Sequence, residues 1–269
     1  MGDPELRIRR TTRFYLRKVK RAVSLYGLLA PADRIAVAVS GGKDSLSLLR
    51  LLRDRREFYP PAYDIVALHV AYLGWEVGAP PRETLAEHFR QEQVPYEIVE
   101  VDLRGEEVDC FRCSWLRRKA LFAAAQRLGC NKLALAHHLE DIAETTMLNL
   151  LQHGRLERPE PSTALFGGAL TLIRPLVFFT SHELQRFANI CHLPVHESTC
   201  PCAQTSQRAQ IGACLRELQK TRRELYINIY RAVERYAPLA AGPRAARRPK
   251  RSRDPEAAAS TEPPSTLSA

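Results

Sequence analysis

The chain has 269 residues, 45% of them hydrophobic and 26% charged, with a formal net charge of +10. That length supports one large domain with a sizeable core, and the composition is that of a folded globular protein rather than a low-complexity one. No apolar run approaches the roughly 20 residues that span a bilayer, and no apolar stretch follows the charged N-terminus as in a secretory signal. No membrane contact and a cytoplasmic location are therefore expected.

Residues 1–10 read as poorly ordered. Thr11 to Leu28 has the pattern of a basic amphipathic helix, with Phe14, Val19, Val23 and Leu25 or Tyr26 available for its inner face. Arg7, Arg9, Arg10, Arg13, Arg17, Lys18, Lys20 and Arg21 fall here with no acidic residue among them. Such a face suits a polyanion such as RNA, and equally a solvated helix surface.

Ile35 to Val39 is a short buried strand. Ser40-Gly41-Gly42-Lys43 then forms a turn of the kind glycine tolerates, and Asp44 and Ser45 open an apolar helical run, Leu46 to Leu52. A strand feeding a glycine turn and a helix start gathers backbone N–H groups at the positive end of the helix dipole, where a phosphate oxyanion fits. Lys43 adds a charge, and Ser40 and Ser45 add hydroxyls. The spacing is not that of the Walker A loop.

Asp64 to Tyr72 is a second strand, Pro80 and Pro81 open a helix through Glu92, and Tyr96 to Val101 is a third strand. Cys113 to Leu128 is helical, Lys132 to Ala136 is a fourth strand, and Glu140 to Gln152 is helical again. This alternation predicts an α/β fold, a parallel twisted sheet with helices on both faces. Its carboxyl edge would gather the phosphate turn, His69 and the pair His137-His138. From Gly154 to Thr171 the pattern fails, which suggests an extended loop or hairpin over that edge. Leu172 to Leu176 restores a strand, Ser181 caps a helix to Ile190, and Gln207 to Arg235 forms one or two helices. The domain reading is a basic helix at 1–28, a nucleotide-binding domain at 29–236 and a disordered basic tail at 237–269.

Next to a triphosphate, Asp44 and Asp141 are the carboxylates that Mg²⁺ requires, and the two histidines can donate to a departing phosphate. Seven cysteines in an intracellular chain point to metal or sulfur chemistry rather than to disulfides. Cys110-x-x-Cys113 at a helix start has metal-binding spacing, and Cys200-Pro-Cys202 supplies further thiolates. Cys130, Cys191 and Cys214 read as core fillers. Arg117, Arg118, Lys119 and Arg174 are candidates for phosphate or RNA contacts.

The string Ser-Gly-Gly-Lys-Asp-Ser at 40–45 resembles the PP-loop of the N-type ATP pyrophosphatases. The resemblance implies an adenine nucleotide α-hydrolase-like fold, ATP as cofactor, Mg²⁺, and adenylation of a substrate oxygen, with Lys43, Asp44 and Asp141 in catalytic roles. His-His-x-x-Asp at 137–141 followed by Ala-Glu-Thr is similar to the tRNA-modifying branch, with Glu140 where that branch usually has aspartate. Cys-x-x-Cys, Leu-Arg-Arg, the histidine pair, Ile-Arg-Pro-Leu and Cys-Pro-Cys occur in the order seen in the tRNA 2-thiocytidine synthetases, over about residues 35 to 220. That likeness implies transfer of sulfur to an anticodon-loop cytidine of tRNA. It implies a [4Fe–4S] cluster on Cys110, Cys113 and either Cys200 or Cys202, the spacing to Arg208 favouring Cys200. A sulfur donor such as a cysteine desulfurase is the expected partner, and a homodimer is left open. Four thiolates would equally suit Zn²⁺. A lysidine synthetase-like ligase with structural zinc and a non-catalytic nucleotide- or RNA-binding module are the alternatives.

Overall fold

A computed structural model describes residues 4–74, 82–104, 109–196 and 206–240, except for the side chains of Pro4, Arg7, Cys110 and 237–240. Cys200, Cys202, the proline pair at 80–81 and the chain beyond 240 therefore lie outside the described residues.

The chain begins with α1 (Pro4–Tyr26) and enters the sheet through β1 (Asp33–Ala38), followed by α2 (Lys43–Phe58) and β2 (Tyr63–Leu73). Next come α3 (Arg82–Gln91), β3 (Tyr96–Asp102), α4 (Cys110–Arg127), β4 (Lys132–Ala134) and α5 (Leu139–His153). A hairpin of β5 (Ser162–Leu165) and β6 (Leu170–Ile173) precedes α6 (Ser181–Ile190), α7 (Gln207–Thr221) and α8 (Leu225–Ala240). The six strands lie in the order β3-β2-β1-β4-β6-β5. Every pairing is parallel except β5 with β6. The expected parallel sheet is thus present, with one antiparallel edge strand.

Residue alternation along the strands explains why both faces are covered. Ile35, Val37 and Val39 point to one core with Ile65 and Ala67, while Ala36, Val66, Leu68 and Val70 point to the other with Leu121, Ala124 and Leu133. The first core also takes α2, whose Leu46, Leu48, Leu49, Leu51 and Leu52 are fully buried. Each such leucine contributes roughly 1.5–3 kcal/mol through removal of apolar surface from water. The second core is closed by α4.

Three local expectations need correction. Residues 4–10 belong to α1, with Pro4 at the first helical position, where its missing N–H is harmless. The buried stripe of α1 is Tyr15, Leu16, Val19, Ala22 and Val23, with Tyr26 partly buried against the core; Val19, Val23 and Tyr26 are inner as expected, whereas Phe14 and Leu25 face outward. The helix at 181–190 is capped by Thr180, not Ser181: its side chain accepts from Glu183 N, and the Glu183 carboxylate accepts from Thr180 N.

Strand order reverses between β1 and β4, the place where open α/β sheets form a crevice beyond their carboxyl ends. The turn after β1 and the histidines after β4 flank that crevice.

Candidate active site

The turn after β1 is built from its own side chains. Ser40 N donates to Ser45 Oγ at 3.1 Å, the two serine hydroxyls are 3.2 Å apart, and Ser45 Oγ donates to Gly42 O at 2.9 Å. Gly41 has φ of 88°, which a side chain would strain. Gly42 is the N-cap of α2 and supplies no side-chain acceptor, so the helix N–H groups are left for an anion. Lys43 Nζ lies on the Asp44 carboxylate at 2.9 and 3.0 Å.

His69 sits mid-strand in β2, yet the register Ala38↔Leu68 puts it level with Val39, the first residue past β1. Its Nδ1 is 2.8 Å from Val39 O, and a carbonyl only accepts, so Nδ1 carries the proton. Burial holds the imidazole below its ordinary pKa, which makes Nε2 a lone-pair acceptor. That atom is buried without a hydrogen-bond partner beside the turn, as a ligand-facing acceptor would be.

Two adjacent histidines from the β4–α5 junction meet the turn with opposite chemistry. Burial pushes the His137 pKa down to about 4, and Arg174 Nε donates to its Nδ1 at 3.3 Å, so Nε2 holds the proton of a neutral ring. Burial opposes charge on His138 too, but there the Glu140 hydrogen bond and the Asp141 and Asp44 charges prevail and raise its pKa. His138 Nδ1 is 3.0 Å from Glu140 Oε2, and its Nε2 lies 3.4 Å from Asp141 and 3.8 Å from Asp44. His138 therefore sits between both candidate Mg²⁺ carboxylates, whose charges favour its protonated form. Among the described residues no three metal-ligating side chains form a ready cage. That fits Mg²⁺, which uses one or two carboxylates together with phosphate oxygens.

Several residues that the sequence did not single out complete the cluster. Arg208, in the first turn of α7, donates to Asp141 Oδ1 at 2.6 Å and to Glu144 Oε2 at 3.1 Å. Asp141 also accepts from His138 N at 3.0 Å. Burial alone would raise the Asp141 pKa, but His138 and Arg208 hold it below the usual range. Glu140 spans to α6, accepting from Ser181 N at 3.0 Å, so this residue orients His138 rather than facing the phosphates. A cleft of about 500 Å³ opens beside Asp141, lined by Glu144, Ser206, Arg208 and Arg216.

The remaining candidates divide. Cys113 lies one turn into α4 as an unpaired, half-buried thiol, 3.6 Å from Tyr72 Oη near the carboxyl end of β2. Cys110 opens the same helix, which Asp109 caps by accepting from Arg112 N at 2.6 Å. His196 N donates to Gly41 O at 3.0 Å, so the chain leading to Cys200 is tied to the phosphate turn. Arg208 ties the chain that follows Cys202 to Asp141. Arg117, Arg118 and Lys119 are exposed on α4. Arg174, expected as an RNA contact, is instead buried, bonding Glu160 O and His137, which makes it a positioning residue. Cys130 and Cys191 are buried as core fillers, but Cys214 is exposed because its position on α7 faces away from α5 and α8.

This geometry has counterparts among known proteins. The PP-loop domain family matches residues 12–213. A tRNA-cytidine(32) 2-sulfurtransferase of Geobacter sulfurreducens is 37% identical over 227 residues, covering 82% of this chain and 88% of that protein. Another with that name, from Xanthomonas campestris pv. campestris strain B100, is 33% identical over 234 residues, covering 81% and 77%. The fold is also that of the U34-tRNA thiolase NcsA from Methanococcus maripaludis, solved with its [4Fe–4S] cluster: TM-score 0.68, 24% identity, 87% of this chain and 80% of that one. With the family profile spanning most of the chain and relatives above 30% identity along most of their own length, the chain belongs to the tRNA-cytidine 2-sulfurtransferase family of PP-loop proteins.

Proposed function

We propose that the protein replaces the 2-oxygen of a tRNA cytidine with sulfur, using ATP to activate that oxygen. The observation that carries the reading is the convergence, at one sheet crevice, of the phosphate turn, the His138–Asp44–Asp141 cluster and the anchors on both sides of the Cys200–Cys202 segment.

ATP would lie with its β- and γ-phosphates on the open N–H groups of α2 and the Ser40 and Ser45 hydroxyls. Asp44 and Asp141 would hold Mg²⁺, whose charge balances the phosphates. Once a cation satisfies Asp44, Lys43 is free to swing to the leaving phosphates. The cytidine 2-oxygen attacks the α-phosphorus, the bond to the β-phosphate breaks, and pyrophosphate departs, with the His138 imidazolium placed to donate to it. The neutral His137, oriented by Arg174, offers its Nε2 proton to the same charge. Sulfur then adds at C2 and AMP leaves with the former 2-oxygen, so one ATP is cleaved per sulfur inserted.

Cys110, Cys113 and either Cys200 or Cys202 would hold a [4Fe–4S] cluster, which would supply the nucleophilic sulfide. The tether at His196 supports this assignment. The expected sulfur source is a donor such as a cysteine desulfurase, whose persulfide sulfur a thiol reductant would convert to sulfide.

The test is anaerobic. Purified protein should be brown, with broad absorbance near 400 nm, and should release pyrophosphate only when ATP and unmodified tRNA are both present. Lys43→Ala should abolish release without removing the colour. Colourless protein carrying stoichiometric zinc would overturn the sulfur chemistry in favour of a ligase-type reaction.

A further inference from the structure

The face of α4 that follows the two cysteines combines exposed aromatic rings with positive charge. Phe111 is 73% exposed, Trp115 48%, and Phe166, at the turn between β5 and β6, 67%. Phe111, Trp115, Lys119 and Phe122 recur at helical spacing and so form one stripe. Phe166 meets Phe122 edge to face with ring centroids 5.7 Å apart, which carries the stripe from the helix onto the hairpin. Lys119 Nζ lies over the Trp115 ring at 5.2 Å, and Arg118, three residues on from Trp115, lies on the same side of the helix. From Cys110 to Leu139 the chain contains six basic residues (Arg112, Arg117, Arg118, Lys119, Arg127, Lys132) and no acidic one.

Large apolar rings in water are unfavourable unless something covers them, and the charge around these selects a polyanion with apolar faces. A duplex offers phosphates but keeps its bases stacked inside. An unpaired RNA strand offers both, and aromatic side chains amid arginine and lysine are how such strands are held. Phe111 to Phe122 spans roughly 16 Å of helix axis, the length of about five stacked bases. We infer that this stripe is a stacking platform for unpaired nucleotides flanking the modified base. Trp115 takes the face of one base, while Arg118 and Lys119 hold the adjoining phosphates. The inference rests on the thiolation reading for the identity of its RNA, but its chemistry is separable from catalysis.

The test uses Trp115 as its own probe. The chain has two tryptophans, so Trp75→Phe leaves Trp115 alone. A short RNA hairpin with an unpaired loop should quench its fluorescence, and a blunt duplex with equal phosphate count should not. Trp115→Ala should weaken hairpin binding about tenfold or more, with the salt dependence unchanged, and Trp115→Phe should restore most of it. Phe111→Ala and Phe166→Ala should act in the same direction. Lys119→Gln should instead reduce the salt slope. Circular dichroism and unchanged melting would show that the variants fold. Equal quenching by duplex, undiminished hairpin binding by Trp115→Ala, or quenching that follows protein concentration without RNA (a second copy on the face) would overturn the platform. Normal thiolation by a Trp115→Ala protein with full hairpin affinity would overturn the platform and leave the enzymatic reading standing. Stacking-dependent binding without any pyrophosphate release would do the reverse.

Discussion

His137 and His138 are chain neighbours whose pKa values are pushed in opposite directions; burial lowers both, and the difference comes from their partners. Arg174 beside His137 repels a proton, whereas Glu140, Asp141 and Asp44 around His138 attract one. Glu140→Gln should therefore impair pyrophosphate release with little change in the apparent affinity for ATP, since it removes an orienting partner and touches no phosphate; loss of about 10–100-fold in turnover is the expected scale for such a partner. A kcat and KM determination checks this. Arg208 should behave likewise. It holds Asp141 in place through one arm of its fork and Glu144 through the other, which lysine cannot reproduce. Arg208→Lys should lower turnover by a similar factor and raise the Mg²⁺ concentration needed for half-maximal rate. The phosphate turn was legible in the sequence because Ser40 to Ser45 is contiguous and its hydrogen bonds are local. Arg208 and Tyr72 were not, because their partners Asp141 and Cys113 are brought near only by tertiary packing. Arg174 was misread for the opposite reason: an arginine in a short motif looks like surface charge until its hydrogen bonds to Glu160 O and His137 are seen.

At the scale of elements, the crevice depends on β1 and β4 lying side by side, and Asp33 at the start of β1 helps to fix them. Its carboxylate accepts from Ala30 N at 2.6 Å and Asn131 Nδ2 at 2.8 Å, and pairs with Lys132 Nζ at 2.6 Å. Burial would raise its pKa, but Lys132, Ala30 and Asn131 hold it below the usual carboxylate value. A depressed folded pKa means stability that is present above the unfolded value near 3.9 and is lost as pH falls through the lower folded one. Asp33→Asn should thus cost about 3 kcal/mol near neutrality, where it leaves the half-buried Lys132 charge with only the Leu28 carbonyl as partner. Thermal melts of variant and parent should converge as the pH drops below the carboxylate range. Helix α1 has a comparable structural part, with Leu16 fully buried in the core it shares with α2 and α6. Leu16→Ala should lower stability by about 2–5 kcal/mol, measurable by denaturant titration. The sequence showed α1 to be amphipathic, but its exposed Phe14 blurred which stripe was the inner one. Period-two and period-3.6 patterns made β1, β2, β3 and most helices readable. The short β5–β6 hairpin was visible only as a failure of periodicity, since four-residue strands carry too little pattern.

Across the described part of the molecule, positive charge is dense on α4 and on the outer face of α1, where Arg9, Arg10, Arg13, Arg17, Lys20 and Arg21 are exposed. Part of that charge already serves packing, as Arg13, Lys20 and Arg21 sit over the rings of Phe58, Tyr59 and Phe178. Replacing Arg9, Arg10 and Arg17 with glutamine should therefore weaken tRNA binding and flatten its dependence on salt without unfolding the protein, as a filter-binding series over salt concentration will show. Among the described residues no helix is long and apolar enough to cross a membrane. Under the proposed function, these surfaces serve a single crevice in which an oxygen of the RNA would be activated and exchanged. The most direct measurement follows that atom: tRNA carrying ¹⁸O at the cytidine 2-position is incubated anaerobically with the protein, ATP and sulfide, and the AMP and nucleosides are weighed by mass spectrometry. One ¹⁸O in AMP for each 2-thiocytidine formed is the predicted result. Unlabelled AMP, or labelled AMP with no sulfur in the RNA, would contradict the account.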